Sequence, residues 1–118
     1  MLNNSGINKV FLVGTIDREP RWHKSNNLND YLCFTLTTKE LIRKNNIDTE
    51  HVEWHHIKIP ANHPDVERMD LKRGQLIHIT GKIQTKTMVD EQEIKRYKTE
   101  IMAVQLQVLT PAPVLVQA

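Results

Sequence analysis

The chain has 118 residues, 39% of them hydrophobic and 25% charged, a balance that suits one soluble globular domain and excludes both a disordered polyelectrolyte and two cores of ordinary size. Sixteen Lys and Arg against fourteen Asp and Glu leave a net charge of +2 and a pI near 8.8, so total charge permits an anionic partner without demanding one. A single cysteine, Cys33, excludes an intrachain disulfide and fits a reducing, cytoplasmic setting; no leader and no apolar run of about eighteen residues suggests secretion or membrane spanning.

In chain order, residues 1–6 are polar and expected to fray. Residues 7–16 form a first strand rich in β-branched and aromatic residues, too apolar for an exposed edge, with Gly14 where the strand can bend. Pro20 breaks the run, Arg21-Trp22-His23-Lys24 follows as a short extended piece, and residues 25–30 have loop composition. Residues 31–39 alternate, with Leu32, Phe34 and Leu36 on one face and Tyr31, Cys33, Thr35 and Thr37 on the other. The charged, Asn-rich residues 41–50 lie between two strands and are expected to form a long hairpin arm.

Residues 52–60, Val-Glu-Trp-His-His-Ile-Lys-Ile-Pro, carry the densest chemistry. On a strand, Trp54, His56 and Lys58 share one face, while His55, Ile57 and Ile59 share the core face. A ring, an imidazole and a cation in a row suit a surface that stacks on flat bases and neutralises phosphates. Residues 63–70 are the helix candidate, with Pro64 in its first turn and Asp65 and Glu67 near its N-terminus. Residues 75–86 alternate again, placing Ile77, Ile79, Gly81 and Ile83 inward and His78, Thr80, Lys82, Gln84 and Lys86 outward. Residues 90–93 suit a hairpin tip. Residues 94–109 read as a last strand, polar at first and apolar later through Met102, Val104, Leu106 and Val108, and residues 110–118 as a disordered tail. The pattern is all-β with one short helix between the third and fourth of five strands, compatible with a barrel.

Covalent chemistry finds little support. His51 and His55 lie about 13 Å apart on a strand, too far to share an ion, and His56 faces away from His55, so no metal or other cofactor is expected. Cys33 sits in an apolar strand, where a thiol is inert, and neither a nucleophile frame nor a phosphate-cradling glycine loop is present. An enzyme is not expected.

Several segments, Asn8-Lys-Val-Phe-Leu-Val-Gly14, Phe34-Thr-Leu-Thr-Thr38, Glu53-Trp-His-His-Ile57, Leu71-Lys-Arg-Gly74, Ile79-Thr-Gly81-Lys-Ile83 and Arg96-Tyr-Lys-Thr-Glu-Ile101, resemble in order and spacing the bacterial single-stranded DNA-binding protein family over residues 7–109. The resemblance implies a five-stranded OB-fold domain over residues 1–109. It also implies a homotetramer or dimer, no catalysis, and nonspecific binding of single-stranded DNA in replication, recombination or repair at the nucleoid. It matches Trp54 to a stacking tryptophan and His55 to a subunit contact. Other family aromatic positions fall on Ile42, Pro60 and Met88, and family arginines on Gln84 and Lys86. The expected binding surface is therefore Trp54, His56, Lys58, Lys82, Gln84, Lys86 and Met88, extended by Lys9, Arg21, Arg43 and Lys44.

Because the chain ends without an acidic tip, recruitment of repair proteins by such a tail is not expected, as in a short or truncated form. Two other readings fit the same residues. One is a tailless primosomal replication accessory, often dimeric; the other is an OB-fold protein-interaction module with reduced DNA binding.

Overall fold

A computed structural model describes residues 5–24, 30–64, 66 and 70–110. Among these residues there are six strands: β1 (Val10–Ile16), β2 (Arg21–His23), β3 (Tyr31–Lys44), β4 (Ile47–Pro60), β5 (Leu76–Val89) and β6 (Lys95–Thr110). The sheet runs β1-β5-β6-β4-β3-β2, and a further β1–β3 pairing closes β1, β5, β6, β4 and β3 into a five-stranded barrel with β2 added at its margin. Alternation explains the core: Ile16, Leu32, Phe34, Leu36, Ile57, Ile59, Ile77 and Ile79 come from strand positions of one parity and fill the interior.

Closure is narrow. β1 meets β3 through Thr15 opposite Thr37 and Ile16 opposite Leu36, continued by the Asp17 amide donating to the Thr35 carbonyl at 2.9 Å. Gly14 permits the approach, since a Cβ there would stand 2.5 Å from the Thr37 carbonyl oxygen. The loop leading into β5 is tied to the same place: the Gly74 amide donates to Ile16 at 2.8 Å, and the Ile16 amide to Gln75 at 3.0 Å. Gly74 takes a φ of 92°, open to glycine at no steric cost.

Two hairpins project from the barrel. β3 and β4 pair in unbroken register from Tyr31 opposite Pro60 to Lys44 opposite Ile47, so the expected arm over residues 41–50 is itself strand. Its turn is Asn45-Asn46, both at positive φ (53° and 60°), the backbone a two-residue type I′ hairpin requires and asparagine tolerates. At the tip between β5 and β6, Asp90 Oδ1 accepts the amides of Gln92 (2.9 Å) and Ile94 (2.8 Å). The Ile94 amide is the main reason that the Asp90 carboxyl titrates below its ordinary value.

β6 is apolar in its second half as expected, but a bulge divides Met102, Val104, Leu106 and Val108 between two faces. Thr80 faces Gln105 and Gly81 faces Ala103, so Val104 is an extra residue, a bulge that switches parity. Ile101 and Ala103 are buried before the bulge and Leu106 after it, while Val104 is exposed and its carbonyl accepts from His63 Nε2 at 2.6 Å. Ile83 is exposed rather than inward, because β5 has left the barrel there and no sheet faces it.

β1 begins at Val10 rather than residue 7, although the Asn8 side chain prolongs the ladder by bonding both the amide (2.9 Å) and carbonyl (2.7 Å) of Ile83. The helix expected over residues 63–70 falls largely outside the described residues. Those described there form a turn, with the Val66 amide on the His63 carbonyl at 3.2 Å, and no helix occurs among the described residues. Thr110 belongs to β6, and the tail beyond it lies outside the described residues.

A Cβ on Gly81 would run into the Met102 carbonyl across the ladder. Gly81→Ala is therefore expected to destabilise the barrel by about 1–3 kcal/mol, the usual cost of overpacking, read as a lower denaturant midpoint with unchanged slope.

Candidate nucleic-acid interface

The outer face of the β3–β4 pair is set by register. Cys33 lies opposite Lys58, Thr35 opposite His56 and Thr37 opposite Trp54, so these side chains form two adjacent columns outside the barrel. β2 sets Arg21 opposite Cys33 on the other side. β6 runs parallel to β4 with Lys58 beside Met102, which brings Glu100 and Lys98 alongside.

Two concavities result. One of about 410 Å³ is lined by Arg18, Arg21, Cys33, His56, Lys58 and Lys98 among others. The next, of about 310 Å³, is lined by Asp17, Arg18, Thr35, Trp54 and His56. They share Arg18, Thr35 and His56 and so make one trough, with the Trp54 ring on its wall and 59% exposed. An indole half open beside cations offers a base a flat face to stack on.

The charges are not equivalent. Among the described residues Lys58 is the most enclosed of the Lys and Arg side chains: its Nζ lies 3.7 Å from Glu100 Oε1 and 4.3 Å from the centre of the Tyr31 ring, with side-chain exposures of 17% for Lys58 and 11% for Glu100. Its charge is already answered by a carboxylate and an aromatic face. Glu19, the other acid on the wall, accepts the Arg73 amide at 3.3 Å. Arg18, Arg21 and Lys98 have no ion-pair partner among the described residues and supply the trough's free positive charge. Burial pushes the Cys33 thiol above its ordinary range, outweighing the opposing pull of Lys58.

Of the residues picked out in the sequence, the structure gathers Trp54, His56, Lys58 and Arg21 in the trough. Lys82, Gln84, Lys86 and Met88 stand on the continuous outer face of β5, opposite Met102, Glu100, Lys98 and Arg96. Lys98 joins that arm to the trough, and Arg96 Nε is engaged by Asp90 Oδ2 at 3.2 Å.

Lys9 is exposed just before β1 and is not part of the trough lining. Arg43 and Lys44 lie at the far end of the β3–β4 arm, where Arg43 Nε sits 3.7 Å from Asp48 Oδ1. His55 faces elsewhere: its Nε2 is hydrogen-bonded to Thr38 Oγ1 at 2.9 Å beside a hollow of about 360 Å³ lined by Phe11, Val13, His51 and Glu53. Sequence reasoning missed Arg18 and Lys98. Arg18 lies in a turn with no periodicity to orient it. Lys98 was legible only by carrying the alternation of residues 82–88 across the hairpin.

A closed five-stranded barrel of this kind is an OB-fold, and its outer surface carries an exposed indole and cations without an ion-pair partner among the described residues. The Single-strand binding protein family matches residues 7–109. Single-stranded DNA-binding protein 1 of Chlorobaculum tepidum is 31% identical over 106 residues, covering 88% of this chain and 65% of that protein, so the chain spans just under two thirds of its relative's length. The Plasmodium falciparum SSB in complex with ssDNA superposes with a TM-score of 0.79 at 24% identity, over 92% of this chain and all of that one. A deletion mutant of the single-stranded DNA binding protein from Thermus aquaticus gives 0.75 at 21% identity, over 89% and 51%. The chain belongs to the single-strand binding protein family.

The enclosed Lys58–Glu100 pair makes a prediction independent of any ligand. Glu100→Gln leaves an ammonium without its carboxylate and should destabilise the fold by about 1–3 kcal/mol, whereas Lys58→Met with Glu100→Gln should recover most of that loss in denaturant melts.

Proposed function

We propose that the protein binds single-stranded DNA without catalysis and with little sequence preference. The strand lies in the trough with a base on Trp54 and its phosphates near Arg18, Arg21 and Lys98, and continues along Lys82, Gln84, Lys86 and Met88. The observation that carries this reading is the half-exposed indole on the wall of a groove where three cations lack ion-pair partners among the described residues. Stacking accepts any base, and cations read only phosphate, so neither contact encodes sequence. Lys58 contributes mainly by holding the floor, since Glu100 already answers its charge.

Self-association belongs to the same proposal. Phe11 and Val13 are exposed on β1, and the ladder between β1 and β3 involves only Thr15 and Ile16 of β1, leaving the edge beyond them open to a second copy, with His55 beside it. A homotetramer is the expected assembly, and solution mass by light scattering checks it against a dimer.

Titration with oligothymidylate in a Trp22→Phe background isolates Trp54 emission. Quenching is expected, and for a strand just long enough to fill the trough an affinity that falls with salt at a log–log slope of about −2, the value for three phosphates neutralised on a single strand; longer strands that reach Lys82 and Lys86 should give a steeper slope. Unchanged emission with no salt-sensitive complex rejects the reading. Trp54→Ala should cost about 1–3 kcal/mol for thymidylate and adenylate strands alike, as stacking does in proteins of this class.

Cys33, on the trough wall with a raised thiol pKa, should react slowly with maleimide at neutral pH and faster as pH rises and thiolate forms. Bound oligonucleotide should protect it, and equal rates with and without DNA would place the strand elsewhere.

A further inference from the structure

One side chain in the Trp54-His56-Lys58 column of β4 is a cation only part of the time. His56 is exposed and lines both hollows of the trough. It stands two residues from Trp54 on the same face, about 7 Å along a strand, so a base stacked on the indole leaves an adjoining phosphate within the imidazole's reach. Its ring is also open. His51, His55, His63 and His78 each engage a ring nitrogen, with Glu53, Thr38, Val104 and Thr80 in turn, whereas neither nitrogen of His56 has a hydrogen-bond or ion-pair partner among the described residues.

The charges around the ring decide what a proton on it would do. The connection after β1 brings Asp17, Arg18 and Glu19, β2 brings Arg21, β6 brings Lys98 and Glu100, and β4 itself brings Lys58. The β3 residues beside it are Thr35 and the Cys33 thiol, which burial keeps neutral. Among the carboxylates, Glu100 is held by Lys58, Glu19 accepts the Arg73 amide, and Asp17 forms no ion pair with the ring. The open charge is therefore positive, from Arg18, Arg21 and Lys98. A phosphate laid over it neutralises these groups and at the same time gives a protonated imidazole its partner.

We infer that His56 is a proton-gated phosphate contact: neutral in mildly alkaline solution, where it only fills the wall, and cationic on the bound strand in mildly acidic solution, so that DNA binding takes up a proton. Imidazole is the side chain whose ordinary titration falls between about pH 5 and pH 8. Affinity then rises as pH falls through that range and is level above it. Lys58 cannot play this part, because Glu100 already answers it and an ammonium keeps its charge throughout the window. The inference rests on the DNA-binding reading above and adds its regulation.

The test titrates oligothymidylate without terminal phosphates, which carries no titrating group of its own in the imidazole window, against the full chain with Trp22→Phe at about pH 5.5 and about pH 8. The parent should bind about tenfold more tightly in acid, the lower end of what a hydrogen bond to a charged group contributes, with a salt slope steeper by about 0.7 for one more phosphate on a single strand. His56→Gln should match the parent in alkali and lose the acid gain, and His56→Arg should hold the tight affinity and the steeper slope at both. His23→Gln removes an exposed histidine that is not on the trough wall and should leave the gain in place. An acid gain undiminished in His56→Gln, or a parent that binds equally well at both pH values, would overturn the gating while leaving the Trp54 contact standing. Equal weakening by His56→Gln at both would overturn it too, because a neutral ring would then be making the contact. A parent protein whose Trp54 emission no oligonucleotide changes would overturn the function, and the gating with it.

Discussion

The short seam between β1 and β3 is the constraint on which the rest depends. It is only two residue pairs long, prolonged by one amide bond, and it exists because Gly14 lets two backbones approach where any side chain would collide. Closing the sheet there decides which parity of every strand faces in. Had β1 stayed apart from β3, the sheet would be open and the columns Cys33-Thr35-Thr37 and Lys58-His56-Trp54 would have no defined exterior. The seam also anchors the loop carrying Arg73 and Gly74, so the element that seals the core positions surface charge as well.

The outer surface divides its charges into those already paired and those left open. Glu100 and the Tyr31 ring hold Lys58, Asp90 holds Arg96, and Asp48 stands near Arg43. A cation already paired gains little from a phosphate, since one partner merely replaces another. Arg18, Arg21, Lys98 and Lys86, without an ion-pair partner among the described residues, line one connected path, with Lys86 and Lys98 directly opposite across the β5–β6 ladder. Like charges set opposite one another destabilise a sheet, and an anion lying over them relieves that repulsion.

The β6 bulge shows how local pattern and global form compete. The run of Met102, Val104, Leu106 and Val108 alternates cleanly, yet only the half after Val104 obeys it. A barrel this small must bend its long strands, and inserting one residue accomplishes the bend while reversing the parity on either side. The released Val104 carbonyl is taken by His63, which ties the connection after β4 to the far strand. Ile83 departs from its pattern for a different reason: it has left the barrel, so the face that would be core has nothing against it.

Alternation over residues 31–39 and 52–60 determined by itself that Phe34, Leu36, Ile57 and Ile59 are core and that Trp54, His56 and Lys58 point outward, because a strand's two-residue period is a local property. The motif spacing likewise carried the family. Tertiary structure alone decided which cations are free, since Lys58 meets Glu100 across 42 positions of chain and no local pattern reports that pairing. It decided too that Arg18 and Lys98 join the trough and that Thr37 and Arg73 border one cavity, because these neighbours are created by the closure of the sheet and have no sequence period of their own.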